Sequence, residues 1–168
     1  MKPITLEAMA RRLSRLADDT FEKFGELPDM LWLVDATDEL GMHMMVLPTT
    51  ERQMELMPAG LRDYFAEHGV TRYARASEVW YSEHPIEHRT EILRQGLVTR
   101  PSRDPRRKEA VAIFAEDKTK ELCGMREIIR PPNGKPYLGK LELVDNSINA
   151  GLGRFANLLP GQAEVTSH

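Results

Sequence analysis

Leu6, Met9, Leu13, Leu16, Phe21 and Phe24 recur three and four residues apart with one wider step around Thr20, while Arg11, Arg12, Arg15, Asp18, Asp19 and Glu22 occupy positions between them. Such a stripe predicts an amphipathic helix, and Gly25 is placed to end it. The pattern then shortens. Met30–Val34 and Met42–Leu47 are apolar runs around the polar stretch Ala36–Gly41, which predicts an antiparallel hairpin with at least one central strand. Thr50-Glu51-Arg52-Gln53 has capping-box spacing, in which Thr and Gln side chains satisfy free N–H groups at a helix start. A second helix should begin there, break at Pro58 and resume from Ala59 to His68 before Gly69.

Val70–Tyr81 alternates in part: Val70, Arg72, Ala74, Ala76, Glu78 and Trp80 share one face, and Thr71, Tyr73, Arg75, Ser77, Val79 and Tyr81 the other. Both faces mix polar and aromatic groups, so this strand is expected to be partly covered or to line a site. Glu83–Arg100 has little periodicity; Ile86, Leu93 and Leu97 would anchor a short irregular helix or flap. Lys108–Ala115 and Glu121–Ile129 read as strands around the turn Asp117–Lys120, Asn133-Gly134 signals a tight reversal, and Tyr137–Val144 reads as a further strand. The tail carries a weak apolar set at Ile148, Leu152, Phe155, Leu158 and Leu159, then a frayed polar end over 160–168. Helices gathered early and strands in runs give an α+β fold. The expectation is a single domain over 1–168, with a mainly antiparallel sheet of about five to six strands and the N-terminal and middle helices packed against it.

Composition narrows the classes. A chain of 168 residues with 41% hydrophobic and 29% charged residues can bury one substantial core. A net charge of −3 gives no general attraction to nucleic acid or anionic membrane. No apolar run approaches the ~20 residues that cross a bilayer, and the start of the chain turns polar too early for a signal peptide. The single cysteine, Cys123, cannot form an internal disulfide; a cytoplasmic location and a buried, inert thiol are expected.

The densest charge cluster is Pro101-Ser102-Arg103-Asp104-Pro105-Arg106-Arg107-Lys108-Glu109, which runs into Ala110-Val111-Ala112-Ile113-Phe114. If this strand pairs with Val70–Tyr81, Glu78 and Trp80 lie beside Arg106, Arg107 or Glu109. Asp104 before Pro105 suits a turn start. Either Arg106 or Arg107 would face inward and need a carboxylate, for which Glu78 and Glu109 are the candidates. An ion-pair lock holding the loop to the sheet is the plain reading; a functional cluster of Glu78, Trp80, Asp104, Arg106, Arg107 and Glu109 is the sharper one. Together with Leu61-Arg62, Gly69 and Tyr73, the pattern Glu78-x-Trp80 followed by Pro101-Ser102-x-Asp104-Pro105-x-Arg107-x-Glu109 resembles small uncharacterised α+β proteins of bacteria and phages over roughly residues 28–144. The resemblance implies the same fold and transfers no activity to any residue.

Other constellations are weaker. His84-Pro85-Ile86-Glu87-His88 matches a zinc-peptidase pattern, but Pro85 disturbs the helical spacing and no third-ligand motif follows. Asp35, Asp38 and Glu39 would hold a divalent cation or serve as hairpin-loop residues. Arg94, Arg100, Arg103, Arg106, Arg107 and Lys108 form a basic run that Tyr73, Trp80 and Tyr81 would complement on a nucleic acid, against an acidic total charge. Met42, Met44, Met45, Met54 and Met57 suit either core filling or a partner groove.

The function these features favour is a non-catalytic protein-interaction or self-associating module without a cofactor. The alternatives are a zinc hydrolase on His84, Glu87 and His88, and a nucleic-acid binder on 94–108. A protein partner or a second copy is the expected partner, and a membrane is not.

Overall fold

The computed structural model describes residues 2–39, 41–46, 48, 50–81, 107–145 and 158–161. Helix α1 (Leu6–Phe24) begins where the Thr5 hydroxyl accepts the Ala8 N–H at 3.1 Å. It ends at Gly25, whose φ of +74° suits a residue without Cβ and whose N–H donates to Phe21 O at 2.7 Å. The buried stripe is Leu6, Met9, Ala10, Leu13, Ser14, Ala17 and Phe21. Leu16 and Phe24 are exposed, so the apolar face runs through small residues that let the helix lie close to the sheet.

Strands β1 (Asp29–Asp35) and β2 (Met42–Met45) form the expected hairpin. Helix α2 (Glu51–Glu67) starts at Thr50, whose hydroxyl accepts the Gln53 N–H at 3.3 Å. Pro58 does not break this helix, contrary to the expectation from sequence. A proline forfeits one internal hydrogen bond, and burial of Pro58 and Phe65 accompanies a helix that stays continuous. Gly69, at φ +63°, turns the chain into β3 (Val70–Tyr81).

Strands β4 (Lys108–Asp117) and β5 (Glu121–Ile129) pair around the expected turn. The hairpin turns at Asp35 and Asp117 use one device: the carboxylate accepts the backbone and hydroxyl donors of the Thr two residues on, Thr37 and Thr119. The expected strand over 137–144 is instead two pieces, β6 (Tyr137–Leu138) and β7 (Glu142–Asp145), which pair with different parts of β5. Asn133 and Gly134 reverse the chain inside the longer connection between Ile129 and Tyr137, and neither adopts a positive φ.

The sheet order is β2-β1-β3-β4-β5-β6, with β7 also on β5 and every pairing antiparallel. This is an α+β fold with a mainly antiparallel open sheet. On one face α1 covers Met30, Val34, Ala74, Ala76, Val111, Ile113, Ala115, Leu122, Ile128 and Leu138. On the other, Phe65 of α2 packs with Leu31, Leu33, Val70, Tyr73, Leu158 and Leu159. Each large apolar side chain fully buried in these layers contributes roughly 1.5–3 kcal/mol.

Arg126 is the polar element of the first layer. Its side chain is 10% exposed and reaches from β5 to α1. It donates to Ser14 O at 3.2 Å, Ser14 Oγ at 3.0 Å, Asp18 Oδ2 at 2.7 Å and Gly139 O at 2.6 Å. The last bond falls where the strand divides: Gly139 still donates its N–H to Glu127 O at 2.8 Å, and the register against β5 shifts by one residue before β7. Gly124 completes the corner: a Cβ there would lie 2.9 Å from Glu142 O, so its absence lets β7 close on β5.

Arg126→Ala is expected to lower the unfolding free energy by about 3 kcal/mol, because several buried acceptors lose their donor. Asp18→Asn should cost nearer 1 kcal/mol, since Asp18 is half exposed. Urea midpoints at unchanged slope would measure both.

A second expectation concerns Tyr73, whose hydroxyl donates to Glu116 Oε2 at 2.5 Å inside the other layer. Burial first, and then the Glu116 charge, hold its pKa well above the ordinary tyrosine value. The folded chain therefore keeps a proton that the unfolded chain releases above about pH 10. Stability from this group is full below that pH and is lost as pH rises through and beyond it. Cys123, raised by burial and then by Glu121, acts in the same direction from about pH 8.5. In a Cys123→Ala background, Tyr73→Phe should flatten the alkaline fall in the urea midpoint; an unchanged profile would exclude Tyr73 as its source.

Candidate functional site

The strands carrying the candidate cluster meet as expected. β3 and β4 pair so that Trp80 lies opposite Glu109, and Glu78 opposite Val111. Glu78 and Trp80 continue the face that buries Ala74 and Ala76, beyond the part that α1 covers. Alternation along β3 therefore carries one face from core to surface.

The described carboxylates of the cluster each have a partner. Glu78 Oε1 accepts the Leu27 N–H at 2.5 Å and ties the link after α1 to β3. Glu109 accepts from Arg130, with Nε at 2.6 Å and Nη2 at 3.5 Å. That hydrogen bond holds the Arg130 pKa above its ordinary value, burial opposes it, and the Glu109 and Glu78 charges add to it. Arg107 is exposed, immediately before β4, and its guanidinium lies 4.5 Å from the centroid of the Trp80 ring. Turning inward was expected of Arg106 or Arg107; among the described residues Arg126 is the arginine buried in this layer.

Sequence reasoning missed Arg130 and Arg126. The turn Asp117–Lys120 fixes the β4–β5 register, which sets Glu109 across from Ile128 and Arg130 on the neighbouring diagonal. The same register puts Arg126 opposite the buried Val111. The signal was present once the hairpin was read residue by residue.

Glu78, Val79, Trp80, Glu109 and Ile128 enclose about 70 Å³. That holds one or two waters but falls short of the ~300–1,000 Å³ of a small-molecule site. Asp104 and Arg106 lie outside the described residues, as do His84, Glu87, His88 and the basic positions Arg94, Arg100 and Arg103. Among the described residues no group of three His, Cys, Asp or Glu side chains could hold a metal ion. Asp35 serves its turn, where the Thr37 hydroxyl bond holds its pKa low; Asp38 pairs with Arg72. Among the described residues no helix is long and apolar enough to cross a membrane.

No family model, curated protein or solved structure matches the chain.

The partnering predicts an order of stability effects. Arg130→Ala, which removes a largely exposed pair, should cost under ~1 kcal/mol. Glu78→Ala, which frees the Leu27 N–H, should cost about 1 kcal/mol. Urea unfolding placing either above Arg126→Ala would invert this assignment of structural weight.

Proposed function

We propose that the chain is a non-catalytic protein-interaction or self-associating module, with the Trp80 end of β3 as a contact surface. The observation carrying this reading is the stack of Arg107 on an exposed Trp80 beside carboxylates that already have partners. A catalytic acid or base needs a carboxylate directed at a substrate within hydrogen-bond reach. Here Glu78 accepts the Leu27 N–H and Glu109 accepts Arg130. What projects is a rigid indole under a guanidinium, and Trp and Arg are the side chains that most often dominate protein interfaces. No cofactor enters this reading.

A photoreactive amino acid placed at Trp80 in the intact chain, irradiated in living cells, tests it. The expected product is a covalent adduct to protein, diminished when Arg107 is also replaced by Ala. Adducts to nucleic acid alone, or none at all, would overturn the reading. A stoichiometric zinc in the purified protein that disappears on replacing His84 or His88 would overturn it in favour of the hydrolase.

A further inference from the structure

The two long edges of the sheet are built differently. β7 carries Glu142 and Asp145, so a second β7 laid antiparallel against it would set carboxylates facing each other. β2 and the residue after it read Met42-His43-Met44-Met45-Val46, with no Lys, Pro, acidic residue or bulge. Charges, prolines and bulges are the usual devices that stop edge strands from pairing.

Register shows which groups the β2 edge offers. The Leu33 N–H donates to Gly41 O at 3.2 Å and the Asp35 N–H to Glu39 O at 3.1 Å. Alternation makes Leu31–His43 and Asp29–Met45 the next hydrogen-bonded pairs. The N–H and C=O groups of Met42 and Met44 therefore point away from β1, where no described strand pairs with them. The side chains of Met42, Met44 and Val46 share one face and are 40%, 62% and 89% exposed. These methionines do not fill the core.

The geometry points to a second copy of this chain as the occupant of the β2 edge, paired antiparallel about a two-fold axis at Met44. Met44 then lies opposite Met44 of the second copy, and Met42 opposite its Val46. Every facing pair is uncharged, the outward backbone groups complete each other's hydrogen bonds, and the exposed apolar side chains of both copies meet on one face. A neutral strand suits this self-complementary pairing, whereas the acidic β7 does not. The short edge predicts a dimer that dissociates on dilution, with a dissociation constant on the order of micromolar. This pairing deepens the interaction reading by naming a partner, and it uses no residue of the Trp80 surface.

Native mass spectrometry and light scattering of the purified full chain across a dilution series test it. Wild type should pass from dimer to monomer. Met44→Pro removes an N–H that β1 does not use and should raise the dissociation constant roughly ten- to a hundredfold. Met44→Lys leaves the strand able to form and should act similarly through like charges at the axis; circular dichroism checks that both variants fold. In a Cys123→Ser background, oxidation should cross-link Met44→Cys dimers and leave Met42→Cys uncross-linked. A wild type monomeric up to about a hundred micromolar would overturn the pairing. So would a dimer unaffected by both Met44 variants. Neither result bears on adducts at Trp80, so failure here and failure of the interaction reading are separable.

Discussion

Arg126 sits where the helix layer meets the far edge of the sheet, and its guanidinium can stay there only because several acceptors converge on it. Ser14 and Asp18 come from successive turns of α1, and Gly139 from beyond β6. Taking a charge out of water costs several kcal/mol unless geometry and hydrogen bonds compensate. The side chain therefore acts as a gauge on both elements: a turn of rotation in α1, or a slip of β6, would leave buried polar atoms without partners. Apolar packing of Leu13, Ala17 and Phe21 favours closeness without fixing register. Arg126 fixes it.

The consequences reach across the sheet, because Val111 lies between Arg126 and Glu78 in the ladder. With α1 held, Gly25 turns the chain so that Leu27 delivers its N–H to Glu78, which occupies one candidate carboxylate. β5 carries both Arg126 and the residues leading to Arg130, so the register that buries one arginine places the next at the rim against Glu109. Trp80 is left between Glu109 across the ladder and Arg107 above its ring.

Local patterns were legible in the sequence wherever a single element decides them. The α1 periodicity with Gly25, the Thr50 cap, the β1–β2 hairpin and the β4–β5 turn each carry their own signal over a few residues. Tertiary contacts decided the rest. Pro58 reads as a break because propensity speaks for an isolated helix, while packing of Phe65 favours a continuous one. Leu16 and Phe24 fit the stripe by spacing yet face outward, because small Ala10, Ser14 and Ala17 form the line of approach to the sheet. Tyr137–Val144 reads as one strand, but the register against β5 shifts by one residue between β6 and β7, where the Gly139 carbonyl accepts from Arg126. The candidate site was half legible: strand pairing brought Glu78, Trp80, Arg107 and Glu109 together, while Arg126, the arginine buried among the described residues, stands outside the charge cluster and so went unread.

Arg126 and Arg130 differ in what covers them. Both lie on or just beyond β5, on the same side of the sheet by alternation, and both engage a carboxylate. Only the first lies under α1, where each donor must find an acceptor or be left costly and unpaired. The second lies past the helix, where water can replace its partner and the pair contributes little to stability. Chemistry alone does not separate a structural arginine from a surface one; position relative to the covering helix does. The same reasoning applies at the other margin of the sheet. β2 also extends beyond what α1 covers, and there the exposed groups are methionines and backbone amides. The uncovered margins thus present a cation on an aromatic ring at the strand ends and, among the described residues, a neutral edge with no further strand paired to it at the side.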